Sequence, residues 1–412
     1  MNERTVPAEE VAPTQERGGG EPRRQRGGPT PLDRARELAP EIAAASDEIE
    51  RERRLPERLV RRLIEAGLFR MLLPRGLDGA ELDPLDFLAV IETIAQNDAS
   101  TAWCLCQNSV AAMVAAFLMP EAARRIFGDA NSILAWGPGP GSRAVAVEGG
   151  YRVTGRWSFA SGIRHASWLG GYCQIVEPDG TPRRGPDGAA LGRTMLFPAP
   201  EAVLSDVWNV VGLRGTASDA FAVDDLFVPE AHSVARDDPS ERRYAVPLYR
   251  LRTDCLFACG FASVALALAR AMVDAFTALA LEKTPRGYKN ALRNSEVIQA
   301  QLAECEARLR AGRMYLRGTL GEVWQGVRRS DTLTLDQRMA IRLAASQAIQ
   351  EAIKVADTVY HSAGATSIFT SNPFERRFRD IHTLSQQMQG RRWHFETVGK
   401  HLLGLPAETT FL

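Results

Sequence analysis

One stretch concentrates side chains that could do chemistry on a flat molecule: Gly149-Gly150-Tyr151-Arg152-Val153-Thr154-Gly155-Arg156-Trp157-Ser158-Phe159-Ala160-Ser161-Gly162. A Gly-Gly turn precedes alternating Tyr151 and Val153, the pattern of a strand leaving a hairpin. Gly155 reads as a second turn, leading into Trp157, Phe159 and Ser161. An apolar aromatic surface ending in a small hydroxyl suits one face of a planar heterocycle. Just beyond it, His165 is placed to reach the same region. Asn108, Gln386 and Gln387 carry amides, which hydrogen-bond a neutral polar substrate without accepting its proton. His382, at a helix start, reads as a surface residue.

The elements that must position these residues run in the order helices, strands, helices. Residues 1–30 are Gly-, Pro- and Arg-rich and read as a disordered tail. Across 31–132, apolar residues recur at helical spacing (Leu38, Ile42, Ala45; Leu59, Leu63, Ala66; Phe87, Val90, Ile91, Ile94). Pro56, Pro84 and Pro120 mark helix starts, and Asn97-Asp98-Ala99-Ser100 caps a fourth helix from Thr101 to about Phe117. From 133 to 235 the chain is β-branched, aromatic and punctuated by Gly and Pro. Strands are expected at Ala144–Val147, Tyr151–Thr154, Tyr172–Val176, Thr194–Phe197, Val207–Val211 and Asp219–Val223, forming a small antiparallel barrel or sandwich. Across 236–412 helical periodicity returns, with helices expected at about 250–282, 294–327, 335–362 and 380–403, a four-helix bundle. The class is therefore α+β.

Fifty Lys and Arg balance fifty Asp and Glu, which favours neither nucleic acid nor an anionic membrane as partner. The runs Val110–Met119 and Leu256–Leu268 read as buried core helices rather than membrane spans. The six cysteines are scattered among apolar residues and read as reduced thiols of a cytoplasmic protein, with no metal site. Dinucleotide, P-loop and nucleophile-elbow motifs are absent, which disfavours those enzyme classes.

Several segments together resemble the acyl-CoA dehydrogenase superfamily. They are Glu65-Ala66-Gly67-Leu68-Phe69 with Leu73-Pro74 and Gly79, and Asp98-Ala99-Ser100-Thr101-Ala102-Trp103. Gly212-Leu213-Arg214-Gly215-Thr216-Ala217-Ser218 with Val228-Pro229 follows, then Pro373-Phe374-Glu375-Arg376-Arg377-Phe378-Arg379-Asp380. The stretch from Gly155 through His165 and Trp168 is most similar to the flavin-dependent monooxygenase branch. That resemblance implies a flavin, FAD or FMN, supplied reduced by a separate reductase. It further implies O2 as co-substrate, a flavin C4a-hydroperoxide, and oxygenation of a small, often aromatic molecule by a homotetramer. It assigns Ser161 to flavin N5 and Phe159 to the ring's flank. Trp157 is left between ring contact and β-domain core. Arg214, Thr216 and Ser218 are implied as flavin phosphate or ribityl contacts, or as turn residues. Arg293 and Gln299 are implied as phosphate contacts, with Gly364, Thr366 and Ser367 approaching from a neighbouring subunit. Arg376, Arg379 and Asp380 read as a structural ion-pair network.

The resemblance also shows what is missing. The family's catalytic Glu, eight or so residues after the Arg-Asp pair, has no counterpart in Ile381–Gly390, nor is a base evident near Ala258–Cys259. The two histidines of phenol-hydroxylating relatives correspond to Ala111 and Gln387. A dehydrogenase acting on a CH–CH group is the alternative reading, and a degenerate flavoprotein kept for binding or assembly is a third.

Overall fold

The computed structural model describes residues 28–186 and 188–409, so the expected tail lies outside the described residues up to residue 27. Helix α1 (Pro31–Glu52) begins where Thr30 caps it. Thr30 Oγ1 accepts the Asp33 N–H at 3.2 Å, and the Asp33 carboxylate accepts the Thr30 N–H at 3.1 Å, a reciprocal cap that satisfies two otherwise orphaned donors. Leu38, Ile42, Ala45 and Ile49 form its buried stripe. Helices α2 (Glu57–Glu65), α3 (Pro84–Ala95), α4 (Ala99–Ala111) and α5 (Pro120–Phe127) follow. Asp98 caps α4, accepting the Thr101 N–H at 2.6 Å. Helix α4 is buried almost all round, because α3, the first strand and the first long C-terminal helix all pack on it.

The middle region forms one sheet from β1 (Leu134–Gly137), β2 (Arg143–Val147), β3 (Gly150–Ala160), β4 (Trp168–Val176), β5 (Gly192–Pro198), β6 (Val203–Ser205), β7 (Asp219–Pro229) and β8 (Ser233–Val234). The order is β6-β7-β3-β2-β4-β5-β8, with β1 parallel to β4. The expected barrel or sandwich is therefore corrected: the sheet is open. Strand β3 breaks register against β7 at Val153/Gly155 and at Trp157/Ala160, and such bulges bend a strand. The sheet curls over Trp157, Phe197 and Phe221, but its edge strands, three and two residues long, are too short to close it. Gly155 is not a turn. It lies inside β3, where a Cβ would meet Ser142 Oγ at 2.4 Å and the Trp157 ring at 2.6 Å. The expected strand Val207–Val211 is a loop whose Val207 and Trp208 N–H groups are taken by the Asp219 carboxylate at 3.0 and 3.1 Å.

Helices α6 (Thr253–Glu282), α7 (Glu296–Arg329) and α8 (Leu335–Ala363) are long; α9 (Pro373–Gln386) and α10 (Trp393–Leu402) are short. The single helix expected at 380–403 is thus two, separated by a tight turn in which Gly390 lies against Ser385. Helix α6 is long and apolar enough to cross a membrane, but 94% of that stretch is buried inside the protein, so it is the central core helix. All six cysteines are buried and unpaired.

Candidate functional site

Strand β3 delivers its last residues to the junction of the sheet with α4 and α6. Ser161 is 4% exposed. Its Oγ accepts the Trp103 Nε1–H at 2.9 Å and lies 2.7 Å from Ser218 Oγ. Ser218 Oγ lies 2.7 Å from Thr216 Oγ1, which donates to the Leu213 carbonyl at 2.9 Å. Four side chains from three separate segments thus form one line of hydrogen bonds. Trp103 is held there by stacking on Phe261 of α6, ring centroids 3.8 Å apart.

The next residue, Gly162, has φ +78°, and a Cβ on it would stand 2.5 Å from Asn108 Oδ1 and 2.8 Å from His165 Nε2. Only glycine meets both demands. Asn108 is 1% exposed. Its Nδ2 donates to the carbonyls of Leu134 at 3.0 Å and Ser161 at 3.3 Å, and its Oδ1 lies 3.3 Å from His165 Nε2. The Asn108 amide is therefore committed to fixing the Ser161 backbone and the imidazole. Burial alone lowers the His165 pKa to about 4, so the ring is neutral at physiological pH. Among the described residues, no carboxylate hydrogen-bonds to Ser161, Asn108 or His165.

Phe159 and Trp157 part company. Trp157 is fully buried, stacked on Phe221 at 5.0 Å with Nε1 donating to the Tyr172 carbonyl at 3.1 Å. Of its two readings, the β-domain core is the one its position serves. Phe159 takes φ +58°, a strained backbone for an aromatic residue. The second bulge turns its ring outward, 62% exposed, edge-on to Trp208 at 6.0 Å. Trp208 was not singled out in the sequence. It sits in the loop misread as a strand, and its Nε1 donates to the Leu213 carbonyl at 3.0 Å.

The loop carrying Thr216 and Ser218 is anchored from two helices. The Asp380 carboxylate of α9 accepts the Leu213 N–H at 2.6 Å. Burial raises its pKa to about 7, although that hydrogen bond and Arg379 oppose the rise. Arg214 is tied to the end of α1, donating to the Glu50 carbonyl at 3.3 Å. Arg379 pairs with Glu50 at 2.9 Å and Glu375 at 2.8 Å, and Arg376 pairs with Asp47 at 2.5 Å. The Arg379–Glu50 and Arg376–Asp47 pairs tie α9 to α1, whereas Asp380, expected in the same ion-pair network, bonds the Leu213 N–H instead. Gln387 caps the end of α9. Its Oε1 accepts the Gln389 N–H at 2.8 Å, while its buried Nε2 has no hydrogen-bond partner among the described residues. His382 pairs with Asp357 of α8 at 2.9 Å.

The remaining predicted residues gather elsewhere. Arg293 and Gln299 are exposed at the start of α7, Gln299 Nε2 donating to the Arg293 carbonyl at 2.9 Å. Thr366 Oγ1 accepts from Lys283 Nζ at 2.7 Å, and the same ammonium donates to the Ala363 carbonyl at 2.5 Å, beside Gly364. Sequence reasoning missed Lys283; only its place just past α6 marks it. Phe261, beside Trp103, lies inside α6, and Lys283 caps the end of that helix 22 residues further on. At 1.5 Å per residue that is roughly 33 Å. The two groups of residues are therefore well separated within one chain. A cavity of about 270 Å³ lies apart from both, lined by Asp47, Asp98, Asn372, Arg376, Arg377 and Asp380; its walls belong to the ion-pair network.

Comparison with known proteins places this architecture. Residues 32–129 match the acyl-CoA dehydrogenase N-terminal domain, and residues 259–389 the acyl-CoA dehydrogenase C-terminal domain. The chain belongs to the acyl-CoA dehydrogenase family. Within that family it is 27% identical over 343 residues to indole-3-acetate monooxygenase of Pseudomonas putida, covering 82% of this chain and 85% of the relative. It is 27% identical over 362 residues to the oxygenase subunit HsaA, a flavin-dependent monooxygenase of Rhodococcus jostii, covering 85% and 92%. The solved structure of XiaF from Streptomyces sp. in complex with FADH2 and glycerol superposes with a TM-score of 0.86 at 25% identity, over 93% of this chain and 97% of XiaF.

Proposed function

We propose that this acyl-CoA dehydrogenase family member is the oxygenase component of a two-component flavin monooxygenase. It takes reduced FAD or FMN from a separate reductase and uses O2 to oxygenate a small substrate, aromatic by analogy with indole-3-acetate monooxygenase. The observation that carries this reading is the end of β3: an exposed aromatic, Phe159, two residues before a buried hydroxyl, Ser161, that is held by Trp103 and Ser218. These residues fit a flavin ring. Phe159 offers it an apolar flank, Ser161 a hydrogen bond to N5, and Thr216 and Ser218 the backing of that hydroxyl. Reduced flavin, when bound, supplies the two electrons that activate O2. The chain's own residues exclude water and fix the ring. Asn108 holds the Ser161 backbone, and neutral His165 and Gln387, whose buried Nε2 has no hydrogen-bond partner among the described residues, are the groups offered to a substrate in this reading.

Arg293, Gln299, Gly364 and Thr366, with Lys283, would serve the flavin of a second copy, because Lys283 lies roughly 33 Å along the helix from Phe261, which stacks on the Trp103 that bonds Ser161. This is the reason to keep a homotetramer as the working assembly. In this reading the chain acts in the cytoplasm, with domain limits at 31–132, 133–235 and 236–412. Dehydrogenation of an acyl-CoA is disfavoured because Gln387-Met388-Gln389-Gly390 offers no carboxylate. The test is turnover with chemically reduced flavin under 18O2 across a panel of indoles and phenols, read by mass spectrometry. One labelled oxygen in a product supports the proposal. Peroxide alone across a broad panel, with acyl-CoA bleaching bound flavin, would replace it.

A further inference from the structure

The hydrogen-bond polarity of Ser161 is coupled to that of its neighbours. The line runs Trp103, Ser161, Ser218, Thr216, Leu213, at 2.9, 2.7, 2.7 and 2.9 Å. The indole Nε1–H can only donate, and the Leu213 carbonyl can only accept. That carbonyl also receives the Thr216 N–H at 3.2 Å and the Trp208 Nε1–H at 3.0 Å, and in the Ser161–Ser218 and Ser218–Thr216 pairs either hydroxyl can donate. When Thr216 gives its one proton to Leu213, at 2.9 Å, Ser218 gives its own to Thr216 and Ser161 gives its own to Ser218. Every hydroxyl is buried, at 1 to 4% exposure, so water does not rescramble the line. In that arrangement Ser161 keeps one acceptor lone pair and has no proton to give.

We propose that Ser218 and Thr216 are positioning residues that make Ser161 an acceptor only, and so select the reduced flavin. The proposal rests on the reading that Ser161 meets flavin N5. Reduced flavin carries a hydrogen on N5 and can donate it to Ser161. Oxidised flavin presents a bare N5 lone pair, which would face a second lone pair across the same gap. An oxygenase fed by a separate reductase gains from this arrangement: it captures reduced flavin and releases the oxidised form after turnover. The bare presence of a serine beside the ring would not do so, because a free hydroxyl rotates to suit either redox state.

The test is the ratio of dissociation constants for oxidised and reduced flavin. It is measured anaerobically on the full chain with FAD and FMN, the reduced form prepared with dithionite. The wild type is expected to bind the reduced form more tightly. Ser218→Ala removes the acceptor of the Ser161 proton. Thr216→Val frees the Ser218 proton to turn toward Ser161, while the Leu213 carbonyl keeps Trp208. Both variants release a Ser161 proton for N5 of oxidised flavin, so oxidised binding should tighten roughly five- to tenfold, the worth of one net hydrogen bond. The ratio should narrow by the same factor. Trp103→Phe removes a donor but leaves the Ser161 proton on Ser218, so its ratio should stay within about twofold of wild type. Urea midpoints establish that each variant is folded. A folded Ser218→Ala and Thr216→Val that bind flavin with the wild-type ratio overturn this inference alone. Failure of the wild type to bind either redox state overturns the functional reading, and this inference with it.

Discussion

Gly162→Ala tests how tightly the site is built. The added methyl faces two separate penalties. Alanine at φ +78° pays for the left-handed backbone, about 1–2 kcal/mol. Its Cβ would stand 2.5 Å from Asn108 Oδ1 and 2.8 Å from His165 Nε2, and neither partner is the free end of a flexible chain. Relieving the contact means breaking the Asn108–His165 bond and loosening the Asn108 bond to the Ser161 carbonyl. A buried bond lost this way costs about 1–3 kcal/mol. The total is about 2–5 kcal/mol, read from the first transition in urea by linear extrapolation. A double-mutant cycle separates the two parts. In an Asn108→Ala background much of the clash is gone, so Gly162→Ala should cost little more than the backbone penalty, about 1–2 kcal/mol. Equal penalties in both backgrounds, or no penalty in either, would refute the close packing of Gly162 against Asn108 and His165.

Three further outcomes are expected. Trp157→Ala should cost about 3–5 kcal/mol of stability, whereas Phe159→Ala, already exposed, should leave the urea midpoint within about 0.5 kcal/mol yet weaken flavin binding measured by titration. Asp380→Ala leaves the buried Leu213 N–H without its acceptor, costing about 1–3 kcal/mol and loosening the Thr216–Ser218 loop; Asp380→Asn keeps an acceptor and should recover most of both losses. Burial lowers the pKa of His165 and of His394 to about 4 in the folded chain. Below pH 6.5 the unfolded chain therefore binds protons that the folded one does not. Stability should fall as pH drops from about 6.5 toward 4, by on the order of 2–3 kcal/mol per histidine, as urea midpoints at stepped pH would show.

The helical regions were legible in the sequence because their signals are local. The segment around Asp98 caps, Pro84 and Pro120 start, and the buried stripe Leu38–Ile42–Ala45 keeps its period. The sheet was less so. Strand β1 is four residues long, and Val207–Val211 has a strand's composition but gives two of its N–H groups to Asp219. Whether a curled sheet closes depends on bulges and edge lengths that composition does not carry. In the site, Phe159 and Ser161 were visible as a motif, but the partners that give Ser161 its polarity lie 57 and 58 positions away. No local pattern links Trp103 or Ser218 to it, and none marks Trp208 or Lys283. Only the fold brings them together.

The central claim is that this chain handles reduced flavin and oxygen. The most direct measurement mixes the anaerobic protein, loaded with reduced flavin, with oxygenated buffer in a stopped-flow spectrophotometer. The account predicts a transient absorbance, distinct from both reduced and oxidised flavin, that decays slowly and is consumed faster with substrate, followed by release of the oxidised form. Direct return to oxidised flavin that stays tightly bound, with no transient, would contradict it.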